Sequence, residues 1–445
     1  MKVHFVGIGG IGVSALAQYY LSKGQEVFGS DLVSSEITDF LKNKGIKIFI
    51  GKHKAKNLQK DVDLVVYSPA VKKDNPELKH AKKYKIRAIS YPEALGELTK
   101  EYYTIAIAGA HGKTTTTAML ALVLERAGLD PTVIVGTKVK EFGNSNFRAG
   151  KSPDGEAIAD PRLRRDKILI IEACEYDSSF LYYAPKIVVV TNVDKEHLDY
   201  FKTFAKVKKA FADFIARLPE DGFLVFNADD KEIPKTENPK FKALGYSLSQ
   251  PEAKKIKKLM KIPGSHNVLN ALAALRVARI LEIPDEITFK SLSEFKGTWR
   301  RFEITGKKIK GEKITLISDY AHHPNEILAT LNAVREKYSK KTIWCVFQPH
   351  QYQRTFYLFN DFVKVFQQAP VDKIIITDIY DVAGRETKKT RKQVSSKKLV
   401  ERIGRDNILY LPSDKAEKYV KENIKSGDVL IIMGAGDIYK LADQF

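Results

Sequence analysis

Tyr103-Thr104-Ile105-Ala106-Ile107-Ala108-Gly109-Ala110-His111-Gly112-Lys113-Thr114-Thr115 is the stretch on which the fold turns. An apolar strand runs into glycines and then into a helical segment, Thr115 to Ala127. That order lines up backbone N–H groups and a lysine where an α/β sheet cradles phosphate. Lys113 can reach the β and γ phosphates, and the Thr114 hydroxyl can ligate magnesium. The strict phosphate-loop pattern needs glycine at position 107, where this chain has Ile107, so the loop is a shortened variant. Taken alone, Gly109 to Thr115 implies that a triphosphate is bound and its terminal phosphate used.

Outward from this loop, strand and helix signals alternate along all 445 residues, which implies an α/β chain of several domains with mostly parallel sheets. Ile168 to Ile171 is an apolar strand ending on Glu172, which puts an acid at the carboxyl edge, beside the phosphate loop. The run Ile187 to Thr191 leads to Asn192-Val193-Asp194-Lys195-Glu196-His197, where His197 is a second candidate metal ligand. The stretch from Gly136 to Arg165 reads as loops or a small insertion; its end, Lys151 to Arg165, carries Arg162, Arg164 and Arg165.

Upstream, Lys2 to Val6 and Gly7-Ile8-Gly9-Gly10-Ile11-Gly12 form a strand–turn–helix fingerprint for a pyrophosphate. Asp31 closes the next strand, where such folds place an acid on a sugar. Downstream, Asp319-Tyr320-Ala321-His322-His323-Pro324 and Gln348-Pro349-His350-Gln351-Tyr352-Gln353-Arg354 each follow an apolar strand. The Arg354 fork suits a carboxylate.

The bulk properties narrow the class without choosing within it. Hydrophobic residues make up 44% and charged residues 29%, the balance of a soluble globular chain. Apolar runs are strand-sized, and the N-terminus opens on a strand with no signal pattern, so a cytoplasmic protein with no membrane partner is expected. Cys174 and Cys345 sit in strand-like apolar stretches and are expected as buried thiols. The net charge of +20 favours anionic ligands, but its lysines do not alternate with aromatics, so no nucleic-acid partner is expected.

In this order the motifs resemble the Mur ligase family over essentially the whole chain. The resemblance rests on Gly7 to Ala17, Ser68-Pro69-Ala70-Val71-Lys72-Lys73-Asp74-Asn75-Pro76-Glu77, the phosphate loop, and Glu172-Ala173-Cys174-Glu175-Tyr176-Asp177. It continues through Thr191 to Asp199, Gly264 to Ala271, Arg300-Arg301-Phe302-Glu303, the two histidine motifs, and Gly434-Ala435-Gly436-Asp437. The histidine motifs point to the alanine-adding branch. The resemblance implies a Rossmann-like UDP-sugar domain at 1–98, a phosphate-loop ATP domain at 99–296, and a Rossmann-like domain contacting amino acid and ATP at 297–445.

What it implies of the residues is specific. Gly9, Gly10, Gly12, Asp31 and Ser68 would lie by the UDP-sugar. Gly109 to Thr115, Asn267, Asn270, Arg301 and Asp319 would serve ATP. Thr114, Glu172 and His197 would hold magnesium, while His322 and Arg354 would face the amino acid. Ala110 stands where the family commonly has threonine, and Gln351 where others carry arginine.

The implied activity is an ATP-dependent ligation of L-alanine to the lactyl carboxylate of UDP-N-acetylmuramate, by a monomer or homodimer acting on small molecules. Three other readings compete: a Mur-type ligase adding another amino acid or a peptide, a nicotinamide-dependent oxidoreductase using Gly7 to Gly12, and a nucleic-acid-stimulated NTPase. The oxidoreductase leaves the second phosphate loop unexplained.

Overall fold

The computed structural model describes residues 1–150, 167–235, 240–381 and 388–445. The Lys151 to Arg165 insertion, with Arg162, Arg164 and Arg165, lies outside the described residues. Three sheets carry the chain. The first holds β1 (Lys2–Val6), β2 (Glu26–Asp31), β3 (Lys47–Ile50), β4 (Leu64–Tyr67) and β5 (Arg87–Ser90) in the order β3-β2-β1-β4-β5, all parallel. The chain crosses from β3 over to β4, so strand order reverses beside β1. Open α/β sheets bind ligands at such a reversal, and Gly7 to Gly12 follows β1 there.

The second sheet holds β6 (Tyr103–Ala108), β7 (Thr132–Val139), β8 (Ser145–Arg148), β9 (Ile168–Glu172), β10 (Ile187–Val190), β11 (Phe223–Asn227) and β12 (Lys242–Tyr246). Its order is β12-β11-β10-β6-β9-β7-β8, parallel except for the β7–β8 pair. Thr104 to Ala108 and all of β10 are buried, which explains their unbroken apolar runs: a strand covered on both faces has no polar side to show. The expectation of loops from Gly136 is corrected here, because β7 runs to Val139 and β8 follows. Their pairing shifts register between Ile134 and Val139, and a glycine at 136 weakens the strand signal.

The third sheet holds β13 (Glu303–Ile309), β14 (Glu312–Asp319), β15 (Ile343–Phe347), β16 (Lys373–Ile376), β17 (Ile408–Tyr410) and β18 (Val429–Met433). It runs β13-β14-β18-β15-β16-β17, with β13 antiparallel to β14 and the rest parallel. One core packs Ile317, Phe347 and Ile431 against Ile327, Phe362 and Leu399, and a second lies on the opposite face around Trp344 and Ile432.

By compactness the described chain divides into two units. One comprises Met1–Asp194, Val207–Ser247 and Ala271–Leu292; the other comprises Lys195–Lys206, Leu248–Asn270 and Ser293–Phe445. The first two sheets share a unit, and a buried polar cluster shows how the helix Ile11–Ser22 is tied to β8. Asn146 Nδ2 donates to the Ile11 carbonyl (2.5 Å) and Ser14 Oγ (2.9 Å), while its Oδ1 accepts from Gln18 Nε2 (2.8 Å). Ser145 Oγ donates to Gln18 Oε1 (3.1 Å).

Cys345 is buried in β15, as expected, but Cys174 lies beyond the end of β9 and is only partly buried. Both are free thiols. Among the described residues no helix is long and apolar enough to cross a membrane.

Every member of the Asn146 cluster is satisfied, so removing one strands the others in a dry site. Asn146→Ala is expected to cost about 2–3 kcal/mol in urea unfolding, from the desolvated groups left behind; a loss below about 0.5 kcal/mol would show that the cluster does not bind the two sheets together.

Candidate active site

Three neighbouring strand ends in the first unit build the phosphate loop and its surroundings: β6 delivers the loop, β9 ends on Glu172, and β10 leads to Thr191 and Asn192. Gly109 (φ +136°) and Gly112 (φ +82°) take backbone conformations that side chains resist. A Cβ on Gly109 would stand 2.0 Å from Thr191 Oγ1, so only glycine lets the loop pass that close.

Asn192 braces the loop from the side. Its Oδ1 accepts from the His111 amide (2.8 Å), its Nδ2 donates to the His111 carbonyl (3.0 Å), and its own carbonyl accepts from the Ala110 amide (3.2 Å). The amides of Ala110 and His111 are therefore engaged inside the protein. The helix Lys113–Arg126 follows, and the Thr116 amide donates to the Gly112 carbonyl (2.9 Å). Thr114 and Thr115 are buried in its first turn. His111 Nε2 is 2.8 Å from Asp194 Oδ2.

Lys113 Nζ donates to the carbonyls of Gly109 and of Ala110 (3.2 Å), and to Glu175 Oε2 (3.1 Å). Burial opposes its charge, but the Glu175 carboxylate, with Glu172 nearby, holds the ammonium above the usual lysine range. Burial and Glu175 push the Cys174 thiol up to about 11, so it stays neutral beside them. Sequence reasoning left Glu175 off the candidate residues. The signal was present, an acid three residues after Glu172 in the same motif.

Glu172 Oε1 accepts from the Gly136 amide (2.7 Å), and a Cβ on Gly136 would stand 2.8 Å from Oε2. The absent side chain leaves a cradle around this carboxylate. A threonine hydroxyl and a carboxylate offer the hard oxygen donors that magnesium takes, so Thr114 and Glu172 fit that ion chemically.

At the glycine turn of the first sheet, Gly7 (φ +79°) and Ile8 donate to the Ser30 carbonyl (2.8 and 3.1 Å), and Gly9 donates to Asp31 Oδ2 (2.8 Å). A Cβ on Gly9 would lie 2.9 Å from that same oxygen. Asp31, expected on a sugar, thus shapes the turn, with Oδ1 accepting from Val33 (3.3 Å). Gly10 donates to the Gly7 carbonyl (3.2 Å), and Ser68 lies under the turn, its Cβ 3.0 Å from where a Gly7 Cβ would be. Gly12 leaves room for Tyr91, whose Oη and Cζ would be 2.8 Å from a Cβ there. Burial, Glu172 and Cys174 all raise the Tyr91 phenol above its ordinary value. Tyr91 therefore sits where the glycine turn and the surroundings of Glu172 meet, and no motif had marked it.

In the second unit, Arg354 is paired rather than waiting. Its Nη2 donates to Glu196 Oε2 (3.1 Å) and its Nη1 to His350 Nδ1 (3.1 Å). Glu196 is 4% exposed; burial works against its charge, yet Arg354 and neighbouring histidines hold it well below the usual carboxylate range. His197 takes φ +55° at the start of the helix Leu198–Phe201, and its amide contacts Glu196 Oε2 (3.3 Å). Glu196, His197, Gln351 and Arg354 line a narrow cleft. Gln351, which replaces an expected arginine, is buried at φ +71° and donates from its backbone to the Tyr380 carbonyl (3.0 Å).

His322 lies 5.8 Å from His350, ring to ring, and burial followed by Arg354 pushes it down to about 4, which keeps it neutral. Asp319 is buried, accepting from the amides of Phe302 and Ala321 (2.8 Å each) and from Thr330 Oγ1 (3.2 Å). It holds the backbone next to Arg301, which stacks on Tyr320 at 5.5 Å. Asn267 and Asn270 are both buried on the helix Ser265–Ile280, and Asn267 Nδ2 donates to the Pro263 carbonyl (2.7 Å).

Known proteins agree on what this arrangement is. The Mur ligase family catalytic domain matches residues 2–103, the Mur ligase middle domain 107–278, and the Mur ligase glutamate ligase domain 300–436. The chain belongs to the Mur ligase family. The UDP-N-acetylmuramate–L-alanine ligase of Clostridium botulinum (strain Loch Maree) is 40% identical over 467 residues, covering 100% of this chain and 97% of its own. That of Aquifex aeolicus is 40% identical over 469 residues, with the same coverage. Among solved structures, the UDP-N-acetylmuramate–alanine ligase of Thermotoga maritima superposes with a TM-score of 0.78 at 27% identity, over 100% of this chain and 98% of its own. A murein peptide ligase of Psychrobacter arcticus shares the fold, with a TM-score of 0.70 at 23% identity over the same shares of the two chains.

Burial also pushes the His266 imidazole down to about 4. The unfolded chain would protonate it near 6.5, so the stability it contributes is complete above pH 6.5 and is lost as pH falls through 4. Between pH 7 and pH 5 this single group should lower the unfolding free energy by about 2 kcal/mol. His266→Gln, compared with the parent by urea unfolding at both pH values, is expected to lose that part of the slope; an unchanged slope would mean that His266 protonates freely in the fold.

Proposed function

We propose that this Mur ligase joins L-alanine to the lactyl carboxylate of UDP-N-acetylmuramate, at the expense of ATP, in peptidoglycan precursor synthesis. The observation that carries the reading is the 40% identity, over the whole chain, to ligases named for that reaction. The chemistry of the candidate residues is consistent with it. Carboxylate and triphosphate repel, so a ligase must gather positive charge and phosphate-binding N–H groups before the two can meet. The Lys113 ammonium and the first turn of its helix supply both.

The lactyl carboxylate attacks the γ-phosphorus, an acyl phosphate forms, and ADP departs. The neutral amine of L-alanine then attacks the acyl carbon, and phosphate leaves. Thr114, Glu172 and His197 are the residues that would hold magnesium, which when bound offsets the negative charge of the triphosphate. Gly109 to Thr115 would hold the phosphates, with Asn267, Asn270, Arg301 and Asp319 completing the nucleotide site. Gly9, Gly10, Gly12, Asp31 and Ser68 would serve the UDP-sugar. Arg354 would take the alanine carboxylate in its planar fork, with the neutral His322 beside it. By extent, the UDP-sugar part corresponds to 1–98, the ATP part to 99–296 and the amino-acid part to 297–445.

Phosphate release, measured with ATP, UDP-N-acetylmuramate and a panel of amino acids and peptides, tests the reading directly. L-alanine should stimulate turnover above every other member, whereas stimulation by a peptide and not by L-alanine would overturn it. Lys113→Ala is expected to lower turnover at least a thousandfold while UDP-sugar binding by calorimetry stays within about threefold, a loss typical of removing preorganised charge. Near-full turnover would remove Lys113 from the chemistry.

Arg354→Ala should raise KM for L-alanine roughly ten- to a hundredfold, the loss of a charge-assisted contact of about 1.5–3 kcal/mol. An unchanged alanine KM would assign its carboxylate to another group.

A further inference from the structure

The motif Asn75-Pro76-Glu77 opens the helix Pro76–Lys83, and its acid has no part in the reaction just described. Glu77 is 0% exposed, beneath the glycine turn of the first sheet. Four side chains converge on its carboxylate. Oε2 is contacted by His4 Nε2 (2.8 Å) and Ser30 Oγ (2.8 Å), and Oε1 by His53 Nδ1 (2.9 Å) and Asn57 Nδ2 (3.0 Å). Its own helix start is fixed by Asn75 Oδ1, which accepts from the Glu77 amide (2.8 Å).

A buried carboxylate is a costly way to fill a core, because well-packed apolar side chains would stabilise the same space as well or better. The neighbouring bonds show what this one controls. Ser30, whose hydroxyl is held by Glu77, is the residue whose carbonyl accepts from both Gly7 and Ile8 (2.8 and 3.1 Å). The next residue, Asp31, accepts from Gly9 (2.8 Å). Three consecutive turn amides thus hang on the last two residues of β2, and the first of those is locked from below by Glu77. In the helix Ile11–Ser22 that follows, the Ser14 amide bonds back to the Gly10 carbonyl (2.8 Å).

We propose that Glu77 is a positioning residue for the UDP-sugar: through Ser30 it fixes the Gly7 to Gly12 turn in the shape that receives the diphosphate. It touches no substrate. The inference rests on the proposed function, in that it takes this turn to be the UDP-sugar site.

The test uses the full-length enzyme with Glu77→Gln, which keeps the shape but removes the charge that gathers four partners. The measurements are KM for UDP-N-acetylmuramate, KM for ATP, kcat, Tm, and UDP-sugar affinity by calorimetry. The expected result is a UDP-sugar KM and Kd raised tenfold or more, with kcat and the ATP KM within threefold of the parent. Ser30→Ala, which cuts only the hydroxyl link, should move the same two constants in the same direction and covers the case in which Glu77→Gln does not fold. Val65→Ala, in the apolar core of the same sheet, should lower Tm and leave both constants unchanged. A lower Tm with an unchanged UDP-sugar KM for Glu77→Gln and Ser30→Ala would overturn the proposal, as would an equal loss in every kinetic constant. Failure of the parent enzyme to bind UDP-N-acetylmuramate at all would instead overturn the assignment of the turn.

Discussion

The ion pair between Lys113 and Glu175 sets the terms for the rest of the phosphate loop. An ammonium that donates to two loop carbonyls and to a carboxylate only 1% exposed is fixed both in place and in charge. The pair costs desolvation, and breaking one side of such a pair leaves an uncompensated charge. The loop must therefore keep the geometry that satisfies it, which is why Gly109 and Gly112 take conformations closed to other residues. Asn192 closes the same arrangement from β10, so loop, lysine and acid form one preorganised body.

The same device recurs in the second unit. Arg354, the group suited to a substrate carboxylate, is already neutralised by a buried glutamate, Glu196. In both units the key cation is partnered by an acid close in sequence to a candidate metal ligand: Glu175 follows Glu172 by three residues, and Glu196 precedes His197. A bare buried cation would lower its affinity for protons or attract stray anions. A partner of this kind holds the cation both charged and in place.

Much of the architecture was legible because central parallel strands have no polar face to obscure them. β6, β9, β10, β15 and β18 announce themselves as apolar runs, and β6, β9 and β18 end on or just before glycine or an acid: Gly109, Glu172 and Gly434. β3 and β5 were missed because they are edge strands with exposed or half-buried residues, such as Lys47-Ile48-Phe49-Ile50, and so lack the run. β7 and β8 were missed for another reason: Gly136 serves Glu172 and Asn146 serves the helix Ile11–Ser22, so function and packing overrode strand pattern. For the site, motif residues could be found by type, but their partners could not. Asn192, Glu196 and Tyr91 make contacts across the fold, and spacing along the chain does not encode those.

Asp319 shows how the fold itself engages a candidate site residue. An acid at a strand end beside a nucleotide motif invites a ligand contact, yet both oxygens of Asp319 accept from the fold, two of the donors being the Phe302 and Ala321 amides. Burial raises its pKa, while those bonds and the Arg301 charge favour the charged form. What it stabilises is a segment under strain, because Arg300 and Phe302 take φ of +56° and +53° on either side of Arg301. Arg300 is itself consumed, stacked on Tyr439 at 4.3 Å and donating to the carbonyls of Gly434 and Gly436. Strain on that scale, of order 1–3 kcal/mol per residue, persists only where surrounding contacts over-determine it. Here Asp319, Tyr439 and the Gly434 loop all do so, and between the two strained residues Arg301 stacks on Tyr320 at 5.5 Å.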